Sequence, residues 1–207
     1  MRHILKQMHA VLLLCTGLLL LPTGCFRSPS TARLYALSPI EHSREITKVS
    51  SGVTVLLGPV VIPSIIDRPQ LVVRSKENRI QIFEESRWAG SFKEDIIRVL
   101  AENLNILMYK EGISVFTDEF IINPAFHLAV TINRFDGSAD DRVRLNAAWM
   151  IRDSNSKAAP SVNLSSIEEP VRESGIEALV AAESRALSSL SREIARELIL
   201  LRDKFGK

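Results

Sequence analysis

Cysteine is scarce in this sequence: its 207 residues include only Cys15 and Cys25, and both lie near the start. Beyond residue 25 no thiol remains. The body of the chain can therefore form neither a disulfide framework nor a thiolate metal site. We expect the fold to be held together by its hydrophobic core alone.

The sequence also lacks an excess of charge of either sign. It has 26 Lys and Arg against 24 Asp and Glu, and subtracting Arg2 and Lys6 of the first segment leaves 24 against 24. Proteins that bind nucleic acid through its phosphates need clustered basic side chains. The balance of charge therefore predicts no nucleic-acid partner.

The main apolar run is too short to cross a bilayer. It covers residues 10–21, which is 12 residues, whereas a spanning helix needs about 20. A basic, acid-free start precedes the run, and Pro22 with two small residues follows it before Cys25. This arrangement is typical of a removable secretory signal, which we place at residues 1–24.

The end of this signal, residues 21–25, resembles the bacterial lipobox, in which the signal is cut before a cysteine that carries lipid. The resemblance implies a covalent lipid on Cys25, followed by a tether up to residue 32, and no other cofactor. Several acyl chains would hold a protein durably on a membrane. Because Phe26 and not Asp follows the cysteine, resemblance to the usual sorting rule favours the periplasmic face of the outer membrane. An ordinary secretory signal that happens to contain a cysteine is the alternative.

Two helices are predicted after the tether. Ser91 and Glu94 have the spacing of a capping box and open an amphipathic helix that runs to about Lys110. Ser174 and Glu177 repeat this spacing before a long terminal helix.

Strands are indicated by alternation and by β-branched runs. Alternation on both sides of Gly137 predicts a long antiparallel hairpin. The expected strands are 33–37, 53–57 with an extended continuation to 62, 70–74, 79–84, 113–116, 126–133, 142–152 and, from a weaker pattern, 158–168. We expect one domain, residues 33–207, of the α+β class. Its two amphipathic helices would pack on one face of a mainly antiparallel or mixed sheet.

The sequence contains no motif that indicates catalysis. His42 and His127 have no second metal ligand at a suitable spacing, and neither a nucleophile elbow nor a phosphate-binding glycine loop is present. The acidic pairs 140–141 and 168–169 are typical of solvated turns. We therefore expect no enzyme activity, no catalytic residue and no metal.

Arg87 and Trp88 allow two interpretations. An aromatic residue with a basic neighbour just before a helix is typical of an exposed binding edge, and it is equally typical of a buried lid. The core interpretation is favoured by the residues alone.

Several blocks resemble the PqiC family, which comprises auxiliary lipoproteins of ABC-type and MCE-type transport systems. These blocks are residues 34–37, 58–63, 67–74, 78–80, 84–89 and 99–104. The resemblance implies an accessory in intermembrane transport of lipid or another hydrophobic substrate, with an MCE-domain protein and inner-membrane transporter components as partners. Within the blocks we select Asp67, Arg68, Arg87 and Trp88 as candidate partner-binding residues. A structural envelope lipoprotein that assists assembly of another outer-membrane complex is the alternative, and whether the chain forms a homo-oligomer stays open.

Overall fold

The computed structural model describes residues 31–42, 52–76, 78–117 and 123–205. All of the described helices and strands lie in one compact unit, residues 32–207. The predicted signal, Cys25 and the tether up to residue 30 lie outside the described residues.

The described part of the chain contains eight strands and two α-helices. They are β1 (Arg33–Tyr35), β2 (Val53–Val61), β3 (Gln70–Lys76), β4 (Arg79–Trp88), α1 (Phe92–Met108), β5 (Ile113–Phe116), β6 (Phe126–Gly137), β7 (Arg142–Asp153), β8 (Ser161–Pro170) and α2 (Ile176–Phe205). A short 3-10 helix, Tyr109–Glu111, follows α1. The α+β class is confirmed. The strands form two sheets, however, with the orders β1-β4-β3 and β5-β2-β6-β7-β8.

The predicted long hairpin forms the middle of the five-stranded sheet. In this hairpin β6 and β7 pair antiparallel, with Leu128 opposite Ile151 and Val130 opposite Trp149. These four side chains are buried, as the alternation predicts. On the far side β7 pairs antiparallel with β8. By contrast, β2 pairs in parallel with both β5 and β6, which makes the sheet mixed.

Both helices pack on the same face of the five-stranded sheet and against each other. The predicted cap of α1 is confirmed, because the Ser91 hydroxyl accepts a hydrogen bond from the backbone N–H of Glu94 at 3.3 Å. Ile96, Leu100 and Leu104 lie fully buried on its inner face. The inner face of α2 contains Leu179, Leu187, Leu190, Ile194 and Leu198, which are also fully buried.

The predicted cap of α2 is wrong by one residue. The helix begins at Ile176, so the residue before it is Gly175 and not Ser174. Gly175 has φ +110°, a conformation that glycine adopts without steric cost. The carboxylate of Glu177 accepts from the hydroxyl of Tyr35 at 3.1 Å, which ties the end of β1 to the start of α2.

An extended segment, residues 37–40, lies against both helices, and we call it the N-terminal strap. Three of its backbone N–H groups donate to helix side chains: Leu37 to Asp95 (2.6 Å), Ser38 to Ser184 (3.1 Å) and Ile40 to Asn103 (2.7 Å). The buried amide of Asn103 also donates to the Ser191 hydroxyl of α2 at 3.2 Å. In a sheet, such N–H groups would donate to the backbone of a neighbouring strand. In the strap they donate to polar side chains of both helices.

Candidate partner-binding surface

A tight turn after β2 presents the first candidate block to solvent. The carbonyl of Pro63 accepts from the N–H groups of Ile66 (3.1 Å) and Asp67 (3.3 Å), and the carbonyl of Ile66 accepts from the N–H of Arg68 (2.9 Å). The side chain of Ile66 is buried and fixes the turn to the core. As a result Asp67 is held exposed and Arg68 half-buried.

This turn lies directly beside the end of β4. The N–H of Trp88 donates to the Pro69 carbonyl at 2.8 Å, and Gln70 is the register partner of Arg87. The amide of Gln70 also donates to the Glu84 carboxylate at 3.0 Å. One candidate block precedes β3 and the other lies at the end of β4, so the pairing of these two strands brings the blocks together in one patch.

We call this patch the turn–strand surface and define it by Asp67, Arg68, Gln70, Glu84 and Arg87. Arg87 is exposed, and its Nε donates to the Glu84 carbonyl at 3.0 Å. The Nε of Arg68 donates to the Gln70 side chain at 3.4 Å. Both guanidinium groups are thus oriented by neighbours at the surface, and carboxylates of Asp67 and Glu84 lie in the same patch. Such a surface can recognise a protein partner with charges of both signs.

Trp88 lies beneath this surface and belongs to the core. Only 7% of it is exposed. Its indole stacks on Phe92 with ring centroids 4.0 Å apart, and Phe92 stacks on Phe135 at 5.7 Å. This aromatic stack joins β4, α1 and β6, so the core interpretation of Trp88 accounts for its position and the exposed-edge interpretation does not.

The histidine and acidic residues considered in the sequence analysis are explained by their neighbours in the fold. His127 lies on β6, where burial and the charge of Arg152 lower its pKa. Glu168 accepts hydrogen bonds from Arg142 and Arg144, each at 2.8 Å, and these bonds lower its pKa. Within the four described ranges no group of three or more His, Cys, Asp or Glu could hold a metal ion.

A family model for the ABC-type transport auxiliary lipoprotein component matches residues 35–195 of the chain. The chain belongs to this family. The match covers both candidate blocks and both sheets, and it confirms the resemblance to the PqiC-like auxiliary lipoproteins. No curated protein matches the sequence of this auxiliary lipoprotein. Among the described helices, none is long and apolar enough to cross a membrane.

Two solved structures share the fold of this auxiliary lipoprotein. One is an uncharacterized protein with 18% identity and a TM-score of 0.68, and the match covers 81% of this chain and 99% of that one. The other is protein XCC0632 from Xanthomonas campestris, with 17% identity and a TM-score of 0.64, covering 84% of this chain and 98% of that one. At these identities the likeness concerns the fold alone.

The sequence alone did not indicate a partly buried charge cluster around Asp136 in this auxiliary lipoprotein. Asp136 accepts from Arg74 at 2.6 Å and from Arg134 at 2.9 Å. Burial acts to raise the pKa of Asp136, but the hydrogen bonds from Arg74 and Arg134 outweigh it and lower the pKa. The cluster joins β3 to β6 and so links the two sheets.

Glu183 of α2 is the second buried group that was missed. It is 3% exposed, and its Oε2 has no hydrogen-bond partner among the described residues. Burial, with a smaller contribution from the charge of Asp136, raises the pKa of Glu183 to about 8. A signal was present in the sequence, because position 183 is four residues from both Leu179 and Leu187 and therefore falls on the apolar face of the helix.

A groove of about 880 Å³ opens between the N-terminal strap and α2. Arg185 and Glu169 approach each other to 3.7 Å at its wall. The charged residues that line it are three arginines and three glutamates: Arg172, Arg185, Arg192, Glu41, Glu169 and Glu177. The charges that line the groove are therefore equal in number.

Proposed function

We propose that this auxiliary lipoprotein is anchored by lipid on Cys25 to the periplasmic face of the outer membrane, where it serves an intermembrane transport system. The transported molecule is a lipid or another hydrophobic substrate, and this transport supports the integrity of the outer membrane. The protein acts by holding partners and not by catalysis. Its partners are an MCE-domain protein and inner-membrane transporter components. The family match and the lipobox-like end of the signal support this proposal.

The turn–strand surface is the observation that carries the proposal. Two sequence blocks meet on one exposed patch, and hydrogen bonds orient both of its arginines. Arginine is among the residues in which interfaces concentrate their binding energy. Trp88 supports the patch from below, so the surface is rigid without exposing its aromatic residue.

Replacing Arg68 and Arg87 together by alanine tests the role of this surface. We expect the double variant to lose co-purification with the MCE-domain protein while its melting temperature stays close to that of the wild type. Arg196→Ala is the matched control, because Arg196 is an exposed arginine of α2, whereas the patch is formed by β3, β4 and the turn before them. If the double variant still binds the MCE-domain protein, the turn–strand surface is not the partner-binding site. Capture of a different outer-membrane complex by the wild type would favour the structural-lipoprotein alternative.

Replacing Cys25 by serine tests the anchor separately. We expect the variant to take up no radiolabelled palmitate and to leave the detergent phase on phase separation, because the acyl chains supply the membrane affinity. A variant that labels and fractionates like the wild type would contradict lipid attachment at Cys25. Recovery of the wild type with inner-membrane markers on a density gradient would contradict only the outer-membrane assignment.

A further inference from the structure

The face of the five-stranded sheet that points away from the helices exposes apolar side chains. On β8 the hydroxyls of Ser161 and Ser165 donate to glutamates of α2. Successive side chains of a strand point to opposite faces, so Val162 and Leu164 lie on the outer side. Leu164 is 83% exposed and Val162 is 66% exposed, which makes them the two most exposed large apolar side chains of the described residues.

The strand register extends this surface across the sheet. One row of register partners crosses four strands: Leu164 of β8, Ala148 of β7, Thr131 of β6 and Val61 of β2. Because neighbouring strands lie about 4.8 Å apart, the row is about 14 Å long. Val61 at its far end is exposed, as is Met150, the register partner of Val162. We call this surface the outer sheet face and define it by its apolar residues: Val61, Ala148, Met150, Val162 and Leu164.

The outer sheet face continues into the turn–strand surface. The tight turn that presents Asp67 and Arg68 begins at Pro63, two residues after Val61. Within this turn Ile65 is exposed, so apolar side chains lead from one surface to the other. Protein interfaces commonly combine an apolar centre with a polar rim. The outer sheet face has the character of such a centre, and the turn–strand surface has the character of its rim.

The charges beside the outer sheet face favour a protein over a lipid surface as its partner. At one end Glu168 accepts from Arg142 and Arg144, each at 2.8 Å, and Asp141 also accepts from Arg142. These cations are therefore paired within the chain. At the other end Arg152 adds an exposed arginine. An anionic membrane surface is recognised by a cluster of several basic side chains, and these paired arginines do not provide one.

We propose that the outer sheet face docks an apolar surface of the same partner that the turn–strand surface binds, the MCE-domain protein. This inference rests on the proposed function, which names that partner. Val162 and Leu164 are the apolar anchors of the contact, and Val61 and Ile65 connect them to the charged rim. The contact covers the most exposed apolar side chains of the sheet, and it assigns a role to a face outside the candidate residues selected from the sequence.

The first test measures the affinity of the full chain, in detergent, for the purified MCE-domain protein by biolayer interferometry. We expect Leu164→Lys to weaken binding about tenfold or more, because the contact would bury an unpaired charge. Its melting temperature should stay unchanged, since Leu164 is exposed in the free protein. Leu200→Lys is the matched control, because Leu200 is 64% exposed on α2, and it should bind like the wild type.

The outcomes separate this inference from the proposed function. If Leu164→Lys binds like the wild type while the double variant of Arg68 and Arg87 has lost binding, the outer sheet face is not part of the interface and the proposed function stands. Equal losses for Leu164→Lys and Leu200→Lys would also overturn the inference, because the effect would not be specific to this face. A wild type that does not bind the MCE-domain protein would overturn both.

The second test identifies what covers the face in membranes that contain the transport system. The photoreactive residue p-benzoylphenylalanine replaces Leu164, Val61 or, as the control, Leu200 in the full chain. We expect irradiation to link positions 164 and 61 to the MCE-domain protein, identified by mass spectrometry, and position 200 not to be linked to it. Adducts of positions 164 and 61 with a second copy of this chain, or with lipid alone, would identify a different occupant and overturn the proposal.

Discussion

Replacing Glu183 by glutamine should make the protein more stable at neutral pH, which is the reverse of the usual effect of a core substitution. The carboxyl group is buried on α2, and its Oε2 has no hydrogen-bond partner among the described residues. Its pKa is raised from 4.5 to about 8. Glutamine has nearly the same shape and cannot ionise.

The size of the effect follows from proton linkage. Between pH 4.5 and 8 the unfolded chain releases the proton of Glu183 while the folded chain retains it, so unfolding becomes easier as the pH rises. Each pH unit in this window is worth about 1.4 kcal/mol, which gives a cost of about 3 kcal/mol at pH 7 and about 5 kcal/mol above pH 8. Below pH 4.5 both states hold the proton and the cost disappears.

Urea unfolding of the wild type and Glu183→Gln at pH 4, 6, 7 and 8.5 measures this cost. We expect the two free energies of unfolding to be close at the lowest pH and to diverge as the pH rises, with the variant more stable. Glu173→Gln is the control, because Glu173 is exposed in the loop before α2, and its difference from the wild type should stay small. A Glu183→Gln difference that does not change with pH would refute the reasoning.

Two further predictions concern the residues that join the sheets. Asp136→Asn should cost about 2 kcal/mol at pH 7, because the partly exposed guanidinium groups of Arg74 and Arg134 would lose a charged acceptor. Because the pKa of Asp136 is lowered, its contribution to wild-type stability is present at neutral pH and should be lost as the pH falls through that lowered pKa. An unchanged urea midpoint for the variant would contradict this. Trp88→Ala should cost about 3–5 kcal/mol, and Trp88→Phe should recover much of it by stacking on Phe92. Equal losses in the two variants would argue against the aromatic stack.

Features that depend on neighbouring residues could be predicted from the sequence. The β6–β7 hairpin follows from alternation across a short turn, and the cap at Ser91 follows from a spacing of three residues. Both patterns are local, so the sequence carries them directly. The same holds for the buried position of Glu183, although only the apolar spacing of its neighbours marks it.

Features that depend on distant pairing could not be predicted. The parallel pairing of β2 with β5 and β6 joins segments that are far apart in sequence, and no local pattern selects parallel neighbours. The cap of α2 was misplaced because Ser174 and Glu177 have a suitable spacing while the positive φ falls on Gly175. The turn–strand surface shows the same limit: Asp67 and Arg87 were both selected, but only the fold shows that they lie in one patch.

The N-terminal strap has a consequence for the order in which the protein is completed. Its contact between Ser38 and Ser184 joins residues 146 positions apart, so one partner emerges early in synthesis and the other close to the end. Until α2 has arrived, the backbone N–H of Ser38 must bond to water, and the seam between α1 and α2 is still open. Chains fold in the direction in which they are delivered, and distant contacts close last. The strap is therefore delivered early and is among the last parts of the fold to reach its final position.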